Sequence, residues 1–179
     1  MPGTDREQPF RPLNIAVLTV SDSRTPADDR SGDLLAQRLT AAGHRLAGRA
    51  LVQDDAEKIA AQLSAWIDDP GVDVVISTGG TGVTGRDVTP EALERVAEKL
   101  IPGFGELFRM ISFQKIGSSA LQSRATAGIA KGTYLFALPG SPGACRDGWD
   151  EILSTQLDIR HRPCNFAELL PRLREHEIG

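Results

Sequence analysis

Residues 13–20 read LNIAVLTV, and nearly every position is apolar or β-branched. A strand with one face in water alternates polar and apolar side chains. A run without alternation needs cover on both faces, as in a parallel sheet flanked by helices. Residues 72–77 (VDVVIS) show the same pattern, and Arg45–Val52 reads as a further strand. Residues 125–130 and Thr133–Leu138 read as two short strands joined by Lys131-Gly132, a turn that predicts one antiparallel excursion at an edge.

Helical patterns fill the intervals. Ser31-Gly32-Asp33 opens a helix in which Leu35, Leu39 and Ala42 share a face, and Gly43 stops it. Asp54 and Asp55 begin the next, with Ile59, Leu63, Trp66 and Ile67 as its buried stripe. Thr89-Pro90-Glu91 reads as a hydroxyl cap, a proline at the first helical position and an acid. Leu93, Val96, Ala97 and Leu100 continue that helix until Ile101-Pro102-Gly103 ends it. Residues 105–113 predict another short helix, residues 144–157 a longer one, and Phe166, Leu169, Leu170 and Leu173 a terminal one. Strands alternating with helices predict an α/β domain with a mainly parallel sheet. Residues 1–12, with prolines and no periodicity, read as a disordered tail, and residues 13–179 as a single domain.

Bulk properties exclude several classes. A net charge of -4 supplies no basic field, so nucleic acid is not the expected partner. No apolar run approaches the roughly 20 residues of a membrane span, and the polar start MPGTDREQPFRP is not a secretory signal. Cys145 and Cys164 lie far apart without metal-ligand spacing, which fits two thiols in a reducing cytoplasm. His44, His161 and His176 form no ligand pair, and Phe104, Phe108 and Phe113 read as core rather than as a stacking platform.

The stretch STGGTGVTGRDVTPEAL, residues 77–93, follows one of the apolar runs. In a parallel sheet, ligands sit beyond the carboxyl ends of the strands, where this turn must lie. Glycines admit positive φ and close approach to main-chain amides, and successive N–H groups make an anion-binding concavity. The amides of this turn, with the hydroxyls of Thr78, Thr81 and Thr84, are therefore candidate donors to an oxyanion, and to a phosphate first. The motif is neither a Walker loop nor the dinucleotide fingerprint, and a turn that binds nothing is the plain alternative. Asp87 beside such a nest calls for a cation, Mg²⁺ being commonly held by one or two carboxylates plus phosphates; its alternative is a capping acid. Asp54 occupies a similar place and has the same two readings. Residues 138–143 (LPGSPG) form a second candidate loop, with Gly140 and Ser141, and Ser123, Arg124 and Arg109 are candidate phosphate ligands.

The succession TGGTGVTGRDVTPEAL, IPGFGELFRMISF, LQSRATAG and LPGSPGAC resembles the MoaB/MogA family of molybdenum cofactor biosynthesis proteins over residues 13 to about 166. The closing DIRHRPCNF is similar to the MoaB branch. The resemblance implies a three-layer α/β fold with helices on both faces of the sheet. It implies a trimer or hexamer, with molybdopterin as substrate. It also implies an Mg²⁺-dependent adenylylation of the terminal phosphate of molybdopterin by ATP, the product passing in a transient contact to a molybdate-inserting protein. By the same resemblance Asp87 and Asp54 are the catalytic, metal-associated acids. Residues 78–82, Ser123, Arg124, Gly140 and Ser141 bind substrate and nucleotide. The alternative is a non-catalytic carrier of molybdopterin.

Overall fold

The computed structural model describes residues 1–178. In chain order the strands are β1 (Gly3–Thr4), β2 (Asn14–Val20), β3 (Arg45–Val52), β4 (Val74–Thr78), β5 (Lys99–Leu100), β6 (Thr126–Ala130), β7 (Thr133–Leu138) and β8 (His161–Arg162). The helices are α1 (Arg30–Ala41), α2 (Ala56–Ile67), α3 (Thr89–Val96), α4 (Pro102–Ile116), α5 (Pro142–Gly148), α6 (Ser154–Gln156) and α7 (Phe166–Leu169). A π-helical turn, Trp149–Leu153, joins α5 to α6. The central sheet has the order β3-β2-β4-β7-β6-β5. Strands β3, β2, β4 and β7 run parallel, while β6 and β5 are antiparallel additions at one edge.

Both parities of the central strands are buried, as the unalternating runs require. Ile15 and Val17 of β2, Val74 and Ile76 of β4, and Tyr134 and Phe136 of β7 face a core completed by Leu35 and Leu39 of α1 and Phe104 and Phe108 of α4. The intervening Ala16, Leu18, Val75, Leu135 and Ala137 face a second core with Ile59 and Leu63 of α2 and Leu93 of α3. The result is three layers, helix, sheet and helix. Register places Thr19 of β2 beside Thr78 of β4, and Thr78 beside Leu138 of β7. The loops leaving all three strands therefore emerge at one rim.

Local chemistry sets the helix starts. Asp29 caps α1, its carboxylate accepting from Gly32 N at 3.0 Å, and Asp55 caps α2 through Lys58 N at 3.0 Å. Several expectations are corrected. Thr89 does not cap α3; it is its first residue, and its hydroxyl donates to Gly79 O at 2.8 Å. Helix α3 ends at Val96, because Lys99 and Leu100 pair with Ile129 and Gly128 of β6. Pro102 opens α4 rather than closing α3, since a proline at the first turn gives up no intrahelical bond.

The amino-terminal residues expected as a disordered tail are docked instead. Gly3 and Thr4 pair with Arg162 and His161, Asp5 N donates to Arg160 O at 2.8 Å, and the Arg160 guanidinium lies over the Phe10 ring. Of the three phenylalanines expected in the core, Phe104 and Phe108 are buried, but Phe113 is 62% exposed. Among the described residues no helix is long and apolar enough to cross a membrane. Ile76 is fully buried where the two central parallel ladders meet. Ile76→Ala is expected to lower unfolding free energy by about 2–5 kcal/mol in urea melts, the range for deleting a large buried aliphatic group.

Candidate functional site

The loops at the carboxyl ends of β2, β3, β4 and β7 close around a cleft of about 520 Å³. Ser21, Ser23 and Arg24 come from the first loop, Asp54 from the second, Gly79–Gly82 and Asp87 from the third, and Pro139–Ser141 from the fourth. The opposite wall is built by α4 and the turn after it, with Phe108, Ser112, Ile116, Gln122 and Ser123.

The glycine turn has a specific orientation. Gly79 O accepts from Thr89 Oγ1 at 2.8 Å, Gly80 O from Thr89 N at 3.0 Å, Thr81 O from Arg124 N at 2.8 Å, and Gly82 O from Arg124 Nε at 2.7 Å. A trans peptide is planar, with its C=O and N–H on opposite sides. Four carbonyls held by the scaffold therefore turn the following amides, those of Gly80, Thr81, Gly82 and Val83, away from it. Among the described residues none of these amides donates to a protein acceptor. Such a row of free N–H groups is an anion nest.

Glycine is required here by geometry: Gly79 and Gly80 have φ of 102° and 70°. A Cβ at Gly79 would run into Val20 O, and one at Gly80 into the Thr89 hydroxyl, with Asp54 Oδ1 also against it.

Two carboxylates flank the nest. Asp87 Oδ2 accepts from Thr84 N at 2.9 Å and Thr84 Oγ1 at 2.8 Å, and its carboxylate lies against the Gly82 Cα. Asp54 does not cap α2, since Asp55 does. Burial pushes the Asp54 carboxyl above the ordinary range, and the neighbouring charges of Asp22 and Asp87 push the same way. Arg86 does not offset Asp87. It is committed to Asp22, with Nε and Nη2 at 2.8 and 2.9 Å from its two oxygens, and it holds that carboxyl below the usual range.

Among the described residues no three His, Cys, Asp or Glu side chains form a metal-holding group. Asp54 and Asp87 both line the cleft and would be the residues to hold a hard divalent cation, with ligand oxygens and water completing its shell. An acid kept partly from water beside other acids is the local sign of such a place.

The fold and this cleft are shared with known proteins. Residues 16–159 match the family described as "Probable molybdopterin binding domain". The chain is 51% identical over 157 residues to molybdenum cofactor biosynthesis protein B of Escherichia coli (strain K12), covering 88% of this chain and 92% of that one. The chain belongs to the MoaB/MogA family. A crystal structure of a molybdenum cofactor biosynthesis protein B superposes with a TM-score of 0.85 at 39% identity, covering 94% and 99% of the two chains. The tungsten cofactor synthesizing protein MoaB from Pyrococcus furiosus superposes at 0.72, with 35% identity and coverage of 80% and 92%.

Of the residues that the MoaB/MogA resemblance singled out, Asp54, Gly79, Gly80, Thr81, Gly82, Asp87, Ser123, Gly140 and Ser141 line the cleft. Two do not. Thr78 is fully buried below it, its hydroxyl donating to Pro139 O at 2.9 Å and accepting from the Cys145 thiol, which burial pushes up to about 11. Arg124 is not free for a ligand, because its guanidinium is used on Gly82 O, Asp87 O and the Glu91 carboxylate. Arg109 likewise holds Ala125 O at 2.9 Å.

Sequence reading passed over Asp22 and Arg24, although their loop also follows a parallel strand, which was signal enough. The α4 wall carried no such signal. A raised carboxyl pKa favours the neutral form, so the charged Asp54 costs stability once pH rises through its folded value. Asp54→Asn is therefore expected to raise the melting temperature at pH 7, with the gain vanishing as pH falls below the ordinary 3.8. A pH series of thermal melts checks it.

Proposed function

We propose that this protein adenylylates the terminal phosphate of molybdopterin with ATP and Mg²⁺, releasing pyrophosphate. The observation that carries the reading is the placing of an amide nest, two carboxylates and the Gly140-Ser141 loop around one cleft of about 520 Å³. Intact Asp54 and Asp87, both facing it, favour transfer over simple carriage.

The chemistry suits what these residues offer. An oxygen of the pterin phosphate attacks the α-phosphorus of ATP. The bond from that phosphorus to the oxygen bridging to the β-phosphate breaks, and pyrophosphate leaves with the electron pair. A phosphate monoester is already largely ionised near neutrality, its second pKa lying at about 6, so no general base is needed. The difficulty is bringing two anions together, and fixed donors aimed at developing charge meet it without reorganisation. The amides of Gly80, Thr81 and Gly82 supply those donors. Asp54 and Asp87 would hold the cation, which when bound neutralises phosphate charge. The Thr84 contacts fix Asp87 in place for that task. The adenylylated pterin would then pass to a molybdate-inserting protein.

Incubation with molybdopterin, labelled ATP and Mg²⁺ tests the reading directly. AMP transfer is expected, and pterin binding without transfer would leave the chain as a carrier. Asp87→Asn is expected to lower turnover on the order of 100-fold while pterin binding persists. Undiminished turnover by that variant removes the assignment.

The chain is further proposed to act as a homo-oligomer, a trimer or hexamer. Leu107, Met110, Phe113 and Ile116 recur every third residue along α4, and all are exposed. A three-residue spacing winds around a helix, so these side chains leave apolar surface exposed along its length, a feature of association surfaces. Light scattering at micromolar concentration is expected to give a multiple of the 19.2 kDa chain mass, reduced by Phe113→Glu.

A further inference from the structure

We infer that Arg24 is the cation through which the cleft grips a phosphate oxyanion of its ligand, at the end walled by Gly140. The inference rests on the reading that the cleft takes phosphorylated ligands, and it adds a residue that the glycine-turn argument does not contain.

Charge is the starting point. The titratable residues lining the cleft are Asp54, Asp87 and Arg24, so Arg24 is the one cationic side chain there among the described residues. Several arginines elsewhere are spent on carboxylates: Arg49 on Asp29 and Asp33, Arg86 on Asp22, Arg124 on Glu91, Arg160 on Asp158. Arg24 makes no ion pair among the described residues. Its guanidinium is held by neutral acceptors only, Nη2 donating to Gly140 O at 2.7 Å and Nη1 to Ser31 Oγ at 3.2 Å. Asp28 feels its field, but the Asp28 carboxylate is taken by the backbone and hydroxyl of Thr25 at 2.5 and 3.0 Å. A half-buried guanidinium without an ion-pair partner thus has unused N–H donors in a cleft whose other charged side chains are acids. A planar fork with spare donors suits phosphate oxygens. Partial withdrawal from water strengthens the attraction.

The arm is also fixed in advance. Arg24 N donates to Ser21 Oγ at 3.0 Å, and Ser31 Oγ donates to the same Gly140 O at 2.7 Å. With that carbonyl held from two sides, peptide planarity turns the Ser141 amide the opposite way, and it finds no protein acceptor among the described residues. The Ser141 amide thus points away from the guanidinium, and Gly140 itself sits against Gly79 of the glycine turn.

Calorimetric titration of the full chain with inorganic pyrophosphate and, separately, with glycerol 3-phosphate tests this without pterin or turnover. The unaltered protein is expected to bind at least one probe. Arg24→Gln is expected to weaken that binding on the order of 10- to 100-fold, the loss for one charge-assisted contact. Loss confined to pyrophosphate assigns the grip to the nucleotide tail, and loss confined to glycerol 3-phosphate assigns it to a phosphomonoester.

Ser31→Ala separates gripping from strapping. It loosens Gly140 but keeps the cation, and its expected loss is on the order of a few-fold. A loss in Ser31→Ala equal to that in Arg24→Gln overturns the inference. So does unchanged affinity in Arg24→Gln, or an unaltered protein that binds neither probe. If Arg24→Gln fails to fold, Arg24→Lys serves instead, since a point charge cannot span both acceptors and an anion; affinity equal to the unaltered protein's counts against the inference. Weakened probe binding in a chain that never transfers AMP would uphold the grip while removing adenylyl transfer.

Discussion

The site depends on the capture of four consecutive carbonyls. Thr89 and Arg124 between them hold the oxygens of Gly79, Gly80, Thr81 and Gly82. Among the described residues no other hydrogen bond holds these four oxygens. A flexible glycine loop would have to order itself on binding, at roughly 1–2 kcal/mol of backbone entropy per residue. Here that ordering is done during folding, by a helix-start threonine and an arginine from a distant segment. The functional weight of Arg124 therefore lies in its backbone contacts, and its charge is absorbed by Glu91. Sequence reading made it a phosphate ligand because guanidinium chemistry suits phosphate. The structure shows the same chemistry suiting carbonyl oxygens.

Electrostatics then divides the cleft. The nest offers partial positive charge from dipoles, which no titration removes. Asp54 and Asp87 offer negative charge nearby, and the raised pKa of Asp54, caused first by burial, marks the cost of keeping it there. Arg86, adjacent in sequence to Asp87, is drawn off to Asp22. Asp54 and Asp87 are thus left without an arginine or lysine ion-pair partner among the described residues.

The central parallel strands and the rim that carries the cleft were legible because both follow from unalternating apolar runs and from where their loops must emerge. The turn at Lys131-Gly132 was legible because a left-handed pair, with φ of 46° and 84°, suits lysine poorly and glycine well, so the dipeptide marks a hairpin. Boundaries governed by tertiary pairing were not. Leu100 continues the helical spacing of Leu93 and Val96, yet the edge of β6 claims it as strand. Residues 1–12 carry no periodicity, and their order comes from partners more than a hundred residues away, such as Arg160 and Arg162. Thr78 and Arg124 sit inside the right motifs with the wrong roles, because composition does not reveal which way a side chain leaves a turn.

The double burial of β2, β4 and β7 bears on how the chain avoids misalignment. In a half-exposed strand, a shift by one residue puts oil into water, and the solvent itself enforces pairing. That safeguard is weak here, since either parity is apolar. What distinguishes the two sides is bulk: Tyr134 and Phe136 occupy one, Leu135 and Ala137 the other. A slipped β7 would drive aromatic rings into space shaped for a methyl group, and steric fit rather than wetting rejects the error. Polar clamps at the strand ends, Asn14 N on Asp73 Oδ2 and Gly79 N on Leu138 O, add a second lock at the two extremities.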